Sequence, residues 1–202
     1  MHSLFWLTAW SLSLVWLRIE WTHSPRYQWL FWDVFLAFVP LALSFLVEKL
    51  WAHEHRWASG LMLIPWLLFF PNAPYLLTEF IHLRIPDKAP HWLDITMLMS
   101  VAAAGVVAGA MSLQRVLKVA AQMTHERLRL PIELMLCAAC GFGIYLGRYD
   151  RWNSWDVLTA PQTLAARVLG YALHPDAHQQ VWIISGIFAV SVFCLQRAAL
   201  RE

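Results

Sequence analysis

Apolar residues dominate six stretches of the chain, and each stretch is bounded by polar or aromatic residues. The stretches cover residues 3–18, 28–48, 57–71, 92–114, 129–147 and 180–198. Crossing the hydrocarbon of a bilayer takes about 20 mostly apolar residues, and fewer where Trp and Arg anchor the ends. The pattern therefore predicts an all-α, polytopic transmembrane helical bundle of about six spans. No repeat or linker divides the sequence, so residues 1–202 are predicted to form one domain.

Composition agrees with a membrane protein. Apolar residues make up 59% of the chain and charged residues 14%, against roughly 45–50% and about 25% in soluble domains. Several of the 13 Trp residues flank apolar stretches, where their amphipathic rings favour the headgroup level. The net charge of +2 is too small and scattered for nucleic-acid binding. The lipid bilayer is the expected partner, and the sequence identifies no partner protein.

Orientation depends on how the basic residues are counted. Six spans place eight of them on the N-terminal side and seven on the other. If Arg148 and Arg151 serve a site, the count becomes eight against five, and the positive-inside rule then places both termini in the cytoplasm. The first stretch lacks a basic n-region and a cleavage site, so we interpret it as a retained span.

The third span is interrupted at Pro71-Asn72-Ala73-Pro74 and resumes over residues 74–83. Each proline removes a backbone donor, and Asn72 is a suitable N-cap for the second segment. Irregular backbone at membrane depth is tolerated where it is buried in protein or faces a wet cavity. The alternative is that the helix simply ends at the membrane surface.

The resumed segment carries a polar stripe of four residues at i, i+3, i+4 and i+7: Tyr75, Thr78, Glu79 and His82. An ionisable residue near hydrocarbon normally faces the bundle interior and has a partner; a solvated interfacial stripe is the alternative. Only residues 84–91 separate this segment from the fourth span, so the two helices are predicted to be antiparallel neighbours. Glu79-x-x-His82 would then face His91-x-x-Asp94, and Glu79, His82 and Asp94 could bind a divalent metal.

The densest polar run, Gly147–Asp156, directly follows the fifth span. Counting spans puts it on the same side as Glu79, His82 and Asp94. Arg148 and Arg151 could balance Glu79, Asp94, Asp33 or Asp156, or could bind a carboxylate or phosphate. An ordinary interfacial belt of Trp and Arg is the alternative.

Residues 161–174 then predict a short interfacial amphipathic helix opened by proline.

Small residues recur at four-residue spacing in the fourth and fifth spans, as Gly105-x-x-x-Gly109 and Gly143-x-x-x-Gly147. Small residues let helix backbones approach closely in a membrane. We therefore expect these two spans to pack against each other. Cys137 and Cys140 have the spacing of a redox motif, but their position inside an apolar helix favours packing.

The run Pro71–Leu83, together with Gly141–Arg148 and Arg151-Trp-Asn-Ser-Trp-Asp156, resembles the bacterial membrane family called domain of unknown function 1361. The resemblance extends from about Trp32 to Pro161. It implies a multi-span protein of the bacterial cytoplasmic (inner) membrane and no established activity. An acid at 79, His82, Asp94 and the 151–156 run belong to the family pattern. The acid is more often Asp, so Glu79 is longer by one methylene, and His91 is not part of the pattern.

Three functions remain open. The first is an extracytoplasmic enzyme or binding site for an anionic lipid or lipid-linked ligand. Its expected catalytic residues are Glu79, His82, Asp94 and Asp156, and its expected substrate-binding residues are Asn72, Tyr75, Thr78, Arg148, Arg151, Trp152 and Asn153. The second is an accessory or structural subunit. The third is a small-solute transporter built around the interrupted helix.

Overall fold

The computed structural model describes residues 2–83 and 89–199, which are helical almost throughout. The α-helices are α1 (His2–Thr22), α2 (Leu30–Ala52), α3 (Arg56–Phe69), α4 (Asn72–Tyr75), α5 (His91–Met123), α6 (Arg129–Arg148), α7 (Asp156–Thr159), α8 (Pro161–Leu173) and α9 (Gln179–Ala199). Three 3₁₀ segments occupy Leu76–His82, Glu126–Leu128 and Pro175–His178. The described residues contain no strand. The predicted all-α class is confirmed.

Five helical segments among the described residues are long and apolar enough to cross a membrane: Leu30–Ala52, Arg56–His82, His91–Met123, Glu126–Arg148 and Pro175–Ala199. The predicted number of six is therefore approximate. The remaining predicted span, α1, has 21 residues, but its Trp and Ser residues and the charges of Arg18 and Glu20 lower its mean hydropathy. Contacts near Leu4 and at Arg18 nevertheless place α1 alongside α5.

Helix α5 is the centre of the bundle. In its most apolar stretch 61% of the residues are buried, against 22–39% in the other four spans. It packs against α1, α2, α4, α6, α9 and the 3₁₀ segment Leu76–His82, hereafter the 3₁₀ segment. It also continues beyond the predicted end at residue 114, because Gln114–Met123 contains good helix formers and no Gly or Pro. Its 33 residues reach about 50 Å, which is longer than the roughly 30 Å of hydrocarbon.

The interruption of the third span is confirmed and lies inside the protein. Regular helix stops at Phe69, and the chain resumes as the single turn α4 before tightening into the 3₁₀ segment. Ala73 and Leu76 are fully buried, so the helix does not end at a free surface. The expected N-cap is wrong: Asn72 lies in the first turn and donates to Phe69 O (2.9 Å) and to Ser154 Oγ (2.9 Å).

The glycines of the two four-residue spacings, Gly105-x-x-x-Gly109 and Gly143-x-x-x-Gly147, pack against this interruption and not against each other. A Cβ at Gly105 would overlap the carbonyl oxygen of Ala73, and one at Gly109 would lie 3.2 Å from the Ala73 Cβ. From the other side, a Cβ at Gly143 would overlap the ring of Pro71. The fourth and fifth spans do contact each other, in the core cluster that contains Leu117 and Cys137. Their glycines, however, form two small-residue faces that enclose the interrupted segment. Close backbone approach is what this irregular segment requires.

Helix α6 makes its closest helix pairing with α9, through Gly141. A Cβ at Gly141 would overlap the carbonyl oxygen of Ser185 and the backbone nitrogen of Ala189. By contrast, Gly186 on α9 has no neighbouring atom within 4 Å of the position where its Cβ would lie.

The predicted helix over 161–174 is observed as α8, which begins at Pro161. Asp150 holds it to the end of α6, accepting hydrogen bonds from Arg167 Nη2 (3.0 Å) and from the hydroxyl of Tyr171 (2.6 Å). Leu169 and Leu173 stay exposed, as suits a helix in the membrane interface.

Arg84, Lys88 and Arg201, which enter the charge count, and most of the 84–91 connection lie outside the described residues.

We predict that Gly141→Ala destabilises the protein by about 1–3 kcal/mol, because the added methyl group forces α6 and α9 apart. Gly186→Ala is the matched control and should not lower stability, since the same methyl group enters open space. The unfolding midpoints of both variants are measured by heating the protein in detergent and quantifying the remaining monomer by size-exclusion chromatography. Equal midpoints for the two variants would contradict this packing.

We also predict that docking of α8 depends on ionised Asp150. Burial raises the pKa of the Asp150 carboxyl, but hydrogen bonds from Arg167 and Tyr171 outweigh burial and leave the pKa below its ordinary value of 3.8. The contribution to stability is therefore complete above pH 3.8 and is lost as the pH falls through the lowered pKa. At neutral pH, Asp150→Asn should speed amide hydrogen exchange in α8, whereas Asp176→Asn, at an exposed position, should not. Unchanged exchange in Asp150→Asn would contradict the anchoring role.

Candidate functional site

The guanidinium of Arg148 contacts all four residues of the polar stripe. It lies 4.2 Å above the ring of Tyr75. Its Nε donates to Thr78 Oγ1 (2.8 Å), its Nη2 donates to Glu79 Oε1, and its Nη1 lies 3.2 Å from His82 Nε2. A 3₁₀ helix has three residues per turn. Thr78 therefore lies about one turn from Tyr75, and Glu79 lies about one turn from His82. The stripe therefore faces the interior and has a charged partner, as one of its two interpretations predicted.

Glu79 is buried, with 1% of its side chain exposed. Its second oxygen accepts a hydrogen bond from Trp29 Nε1 at 3.0 Å. A carboxylate this deep requires both a countercharge and hydrogen bonds, and Arg148 and Trp29 provide them. Glu79 thus fixes the orientation of the Arg148 guanidinium from the protein interior.

His82 is partly open, with 40% of its side chain exposed. A guanidinium can only donate, so the contact from Arg148 makes His82 Nε2 the acceptor and places the ring proton of the neutral form on Nδ1. The ring also packs edge-on against Trp29, with 5.3 Å between centroids. His82 Nε2 also lies 3.8 Å from Glu79 Oε2, so the ring is close to both members of the Arg148–Glu79 ion pair.

The turn between α1 and α2 fixes the end of the 3₁₀ segment. The carbonyl oxygen of His82 accepts hydrogen bonds from Arg26 Nη2 (2.6 Å) and from the hydroxyl of Tyr27 (2.9 Å). Tyr27 is fully buried and has a φ of 70°, a conformation that is rare for a bulky residue. This local strain is tolerated because Tyr27 packs against the guanidinium groups of Arg18 and Arg26, each 4.9 Å from its ring.

Asp94 does not join Glu79 and His82. Its Oδ1 pairs with Arg18 Nε at 3.1 Å, and both side chains are almost completely buried. Among the residues that the structure describes, no three His, Cys, Asp or Glu side chains are grouped so that they could hold a metal. The two acids are each neutralised by a different arginine, so the Glu79, His82 and Asp94 ligand set is not assembled.

Asp156 organises the loop that follows α6. It accepts hydrogen bonds from the backbone and side-chain nitrogens of Asn153 (2.7 and 3.3 Å) and from Thr159 Oγ1 (2.9 Å). The backbone hydrogen bond from Asn153 is the main cause of the lowered pKa of Asp156. Together with the Asn72–Ser154 contact, these bonds hold the loop over the interrupted helix. Asp156 thus stabilises the loop and the start of α7, and it does not line the cavity.

A cavity of about 760 Å³ lies beside this cluster. The predicted binding residues Asn72, Tyr75, Arg148, Arg151, Trp152 and Asn153 line its polar end, together with His82. Leu36, Leu67, Leu68, Ala139 and Phe142 line its apolar part. Thr78 and Glu79 lie behind Arg148. One end of the cavity is thus polar, and the opposite wall is formed by side chains of spanning helices.

Two ionisable side chains in this cavity have no hydrogen-bond or ion-pair partner among the described residues. Asp33 lies one turn into α2, and Arg151 lies in the loop after α6. None of the described residues forms a hydrogen bond or ion pair with either charged group. Arg151 also has a φ of 61°, so its backbone is held in a left-handed conformation that glycine would adopt more easily. Arg148, in contrast, is neutralised by Glu79.

Sequence reasoning did not place Asp33, Trp29, Arg18, Arg26 or Tyr27 in the site. Asp33 was considered only as a countercharge, although an acid four residues into an apolar span is itself a sign of function. Arg18 carried the same kind of sign near the end of the first span. Trp29 and Tyr27 had no distinguishing signal, since aromatic residues at helix ends are common in membrane proteins.

A family model described as "Protein of unknown function (DUF1361)" matches residues 32–195. The match includes the interrupted third span, the polar stripe and the 147–156 loop. No curated protein and no solved structure matches the chain. The predicted resemblance to this family is confirmed.

We predict that Arg148→Gln lowers stability by about 3–5 kcal/mol, because Glu79 would remain buried without its countercharge. Arg148→Lys should be intermediate, since it keeps the charge but loses the fork of donors. Arg151→Gln is the control. It removes the same charge from an exposed side chain that lies only three residues further along the chain. Thermal unfolding in detergent ranks the variants. If Arg148→Gln and Arg151→Gln were equally stable, the central role of the ion pair would be wrong.

Proposed function

The chain belongs to the DUF1361 family, and we propose that it is a multi-pass membrane protein that binds an anionic, lipid-like amphiphile in the cavity beside Arg148. The observation that carries the proposal is the guanidinium of Arg151, which has no acidic partner among the described residues and lies at the polar end of a cavity whose other wall is apolar. The family description names no activity, so the proposal depends on this geometry alone.

The size and lining of the cavity suit an amphiphile. Its volume of about 760 Å³ is within the roughly 300–1,000 Å³ typical of small-molecule sites. The apolar wall comes from α2, α3 and α6, whose outer faces carry exposed side chains such as Trp32, Ile64 and Met135. An acyl or alkyl chain can therefore lie along this wall while its headgroup occupies the polar end.

Charge explains why the headgroup should be anionic. Arg148 already satisfies Glu79, whereas Arg151 is free to form a bidentate contact with a phosphate or carboxylate. The neighbouring amide of Asn153 and indole of Trp152 belong to the same end of the cavity. The strained backbone at Arg151 is consistent with a side chain whose position is fixed for binding.

Proton-using catalysis is a second candidate, and Asp33 is the observation that favours it. Asp33 and His82 line one cavity, and each can exchange a proton with a bound headgroup. Glu79 and Asp94 would act here as positioning residues, because both are buried in ion pairs. If the protein is an enzyme, incubation with a bacterial lipid extract should give a new product by mass spectrometry that Asp33→Asn abolishes. No product with the wild-type protein would reject this candidate.

We place the protein in the bacterial cytoplasmic membrane, with both termini in the cytoplasm and the cavity on the outer side. Arg18 and Arg148 are buried in ion pairs and do not count as topogenic charges. Eight basic residues then remain on the N-terminal side against five on the cavity side. Labelling of Arg151→Cys with a membrane-impermeant thiol reagent on intact cells, in a background in which Cys137, Cys140 and Cys194 are replaced by Ser, tests this orientation.

We predict that a long-chain alkyl phosphate carrying a photoactivatable group labels the walls of the cavity, and that Arg151→Gln reduces labelling about tenfold. A lost charge-assisted contact of about 1.4 kcal/mol corresponds to that factor. Peptide mapping by mass spectrometry should find the label in the 64–75 and 139–157 segments. A neutral alkyl glycoside with the same photoactivatable group should label weakly and without dependence on Arg151.

Two further variants make the result specific. Arg151→Gly removes the guanidinium and relieves the backbone strain, so it should lose labelling while retaining or gaining stability. Arg127→Gln, an exposed arginine at the other end of the bundle, should leave labelling unchanged. Undiminished labelling in both Arg151 variants would contradict the proposed binding mode, and an unchanged level of labelling between anionic and neutral probes would contradict the anionic headgroup.

A further inference from the structure

A second cavity, of about 750 Å³, lies at the opposite end of the bundle. It lies between the end of α2, the last turns of α5, the first turns of α6 and the end of α9. Four basic side chains and two acidic ones line it: Arg115, Lys118, Arg129, Arg197, Glu48 and Glu133. None of these six residues contributes to the cavity beside Arg148.

Two of the arginines are held in place in the same way. The Arg115 guanidinium stacks 3.7 Å above the ring of Phe45 and donates from Nη1 to Glu48. On the other side of the cavity, Arg197 stacks 4.7 Å above Phe193 and donates from Nη2 to Glu133 at 2.7 Å. Stacking and ion pairing fix the position of each guanidinium, so little conformational entropy is lost when a ligand binds.

Both acids already have basic partners in these contacts. Glu48 accepts from Arg115 through one oxygen and from Lys118 through the other (2.8 Å). Glu133 accepts from Arg197 and from Gln196. The six charged lining residues carry a net charge of +2, which the ion pair of Arg129 with Glu126 (3.7 Å) reduces to +1. The buried Nε of Arg115 has no acceptor among the described residues. The cavity therefore has an excess of positive charge and of hydrogen-bond donors.

The cavity lies where lipid headgroups are found. Arg115 comes 24 residues after the start of α5 at His91, or about 36 Å along the helix axis, which is just beyond the hydrocarbon thickness. Glu48 and Arg197 lie within the last turns of α2 and α9. Met111 supplies an apolar edge on the membrane side. Basic pockets between spanning helices at this depth suit anionic lipid headgroups.

We propose that this cavity is a second binding site, which takes the phosphate group of an anionic phospholipid from the leaflet at that end. Arg115 and Arg197 hold the phosphate from fixed positions, and the more exposed Lys118 and Arg129 complete the positive field. The site is independent of the proposed function, because it shares no residue with the cavity beside Arg148.

Native mass spectrometry with phosphatidylglycerol, and with phosphatidylcholine as the zwitterionic comparison, tests the proposal. All measurements use the Arg151→Gln background, in which lipid bound in the first cavity contributes less to the signal. The double variant Lys118→Gln/Arg129→Gln should bind phosphatidylglycerol about tenfold more weakly, which corresponds to about 1.4 kcal/mol. Both side chains are largely exposed (65% and 46%), so the variant should fold normally.

The matched control is Lys49→Gln/Arg127→Gln, which removes two exposed basic residues from the same end but outside the cavity. It should bind phosphatidylglycerol as the background protein does. Equal weakening in both double variants would mean that charge acts diffusely and would overturn the site. Inorganic phosphate is the last arm: weak competition with phosphatidylglycerol supports recognition of the phosphate group, whereas binding of inorganic phosphate without binding of phosphatidylglycerol overturns the lipid assignment.

Discussion

The ion pair between Arg148 and Glu79 is the interaction on which the candidate site depends. A carboxylate with 1% exposure near hydrocarbon is stable only with a countercharge and full hydrogen bonding. Arg148 supplies the countercharge and shares the hydrogen bonding of Glu79 with Trp29. The same guanidinium contacts Tyr75, Thr78 and His82. One side chain from the end of α6 thus fixes the register of the 3₁₀ segment and the position of the loop that begins at residue 149. The same arrangement shapes the cavity, because Arg148 and two of the residues that it contacts, Tyr75 and His82, line the polar end.

The interrupted third span requires space as well as charge. A helix broken by Pro71 and Pro74 leaves backbone groups that must be enclosed by protein. Gly105 on α5 and Gly143 on α6 allow that enclosure, since a side chain at either position would overlap the interrupted segment. The same closeness lets Asn72 donate to both Phe69 O and Ser154, and so connects the interruption with the 147–156 loop. Loss of regular helix in this segment is therefore balanced by contacts from two neighbouring helices.

The sequence was sufficient for the all-α class, the approximate spans, the interruption and the polar stripe, because each is a local pattern of hydropathy, proline or spacing. It also put Arg148 among the candidate partners of Glu79. It could not decide which arginine pairs with which acid, since Arg18 and Arg148 lie on different helices and only tertiary packing brings Arg18 to Asp94. That assignment separates the acids of the predicted metal set. The two four-residue glycine spacings gave a similar ambiguity: spacing indicates a close approach, but it does not identify the partner.

A common geometry underlies the charged pairs at both ends of the bundle. In five arginine–acid pairs the guanidinium also lies 3.7–5.1 Å from the centre of an aromatic ring: Arg18 on Tyr27, Arg115 on Phe45, Arg148 on Tyr75, Arg167 on Tyr171 and Arg197 on Phe193. The flat face of the group packs on the ring, and its edge remains free to donate. In a bundle this apolar, such stacking lowers the cost of removing the cation from water. Arg151 differs from these five because no described acid pairs with it, and for that reason it is the arginine in the first cavity that is available to a ligand.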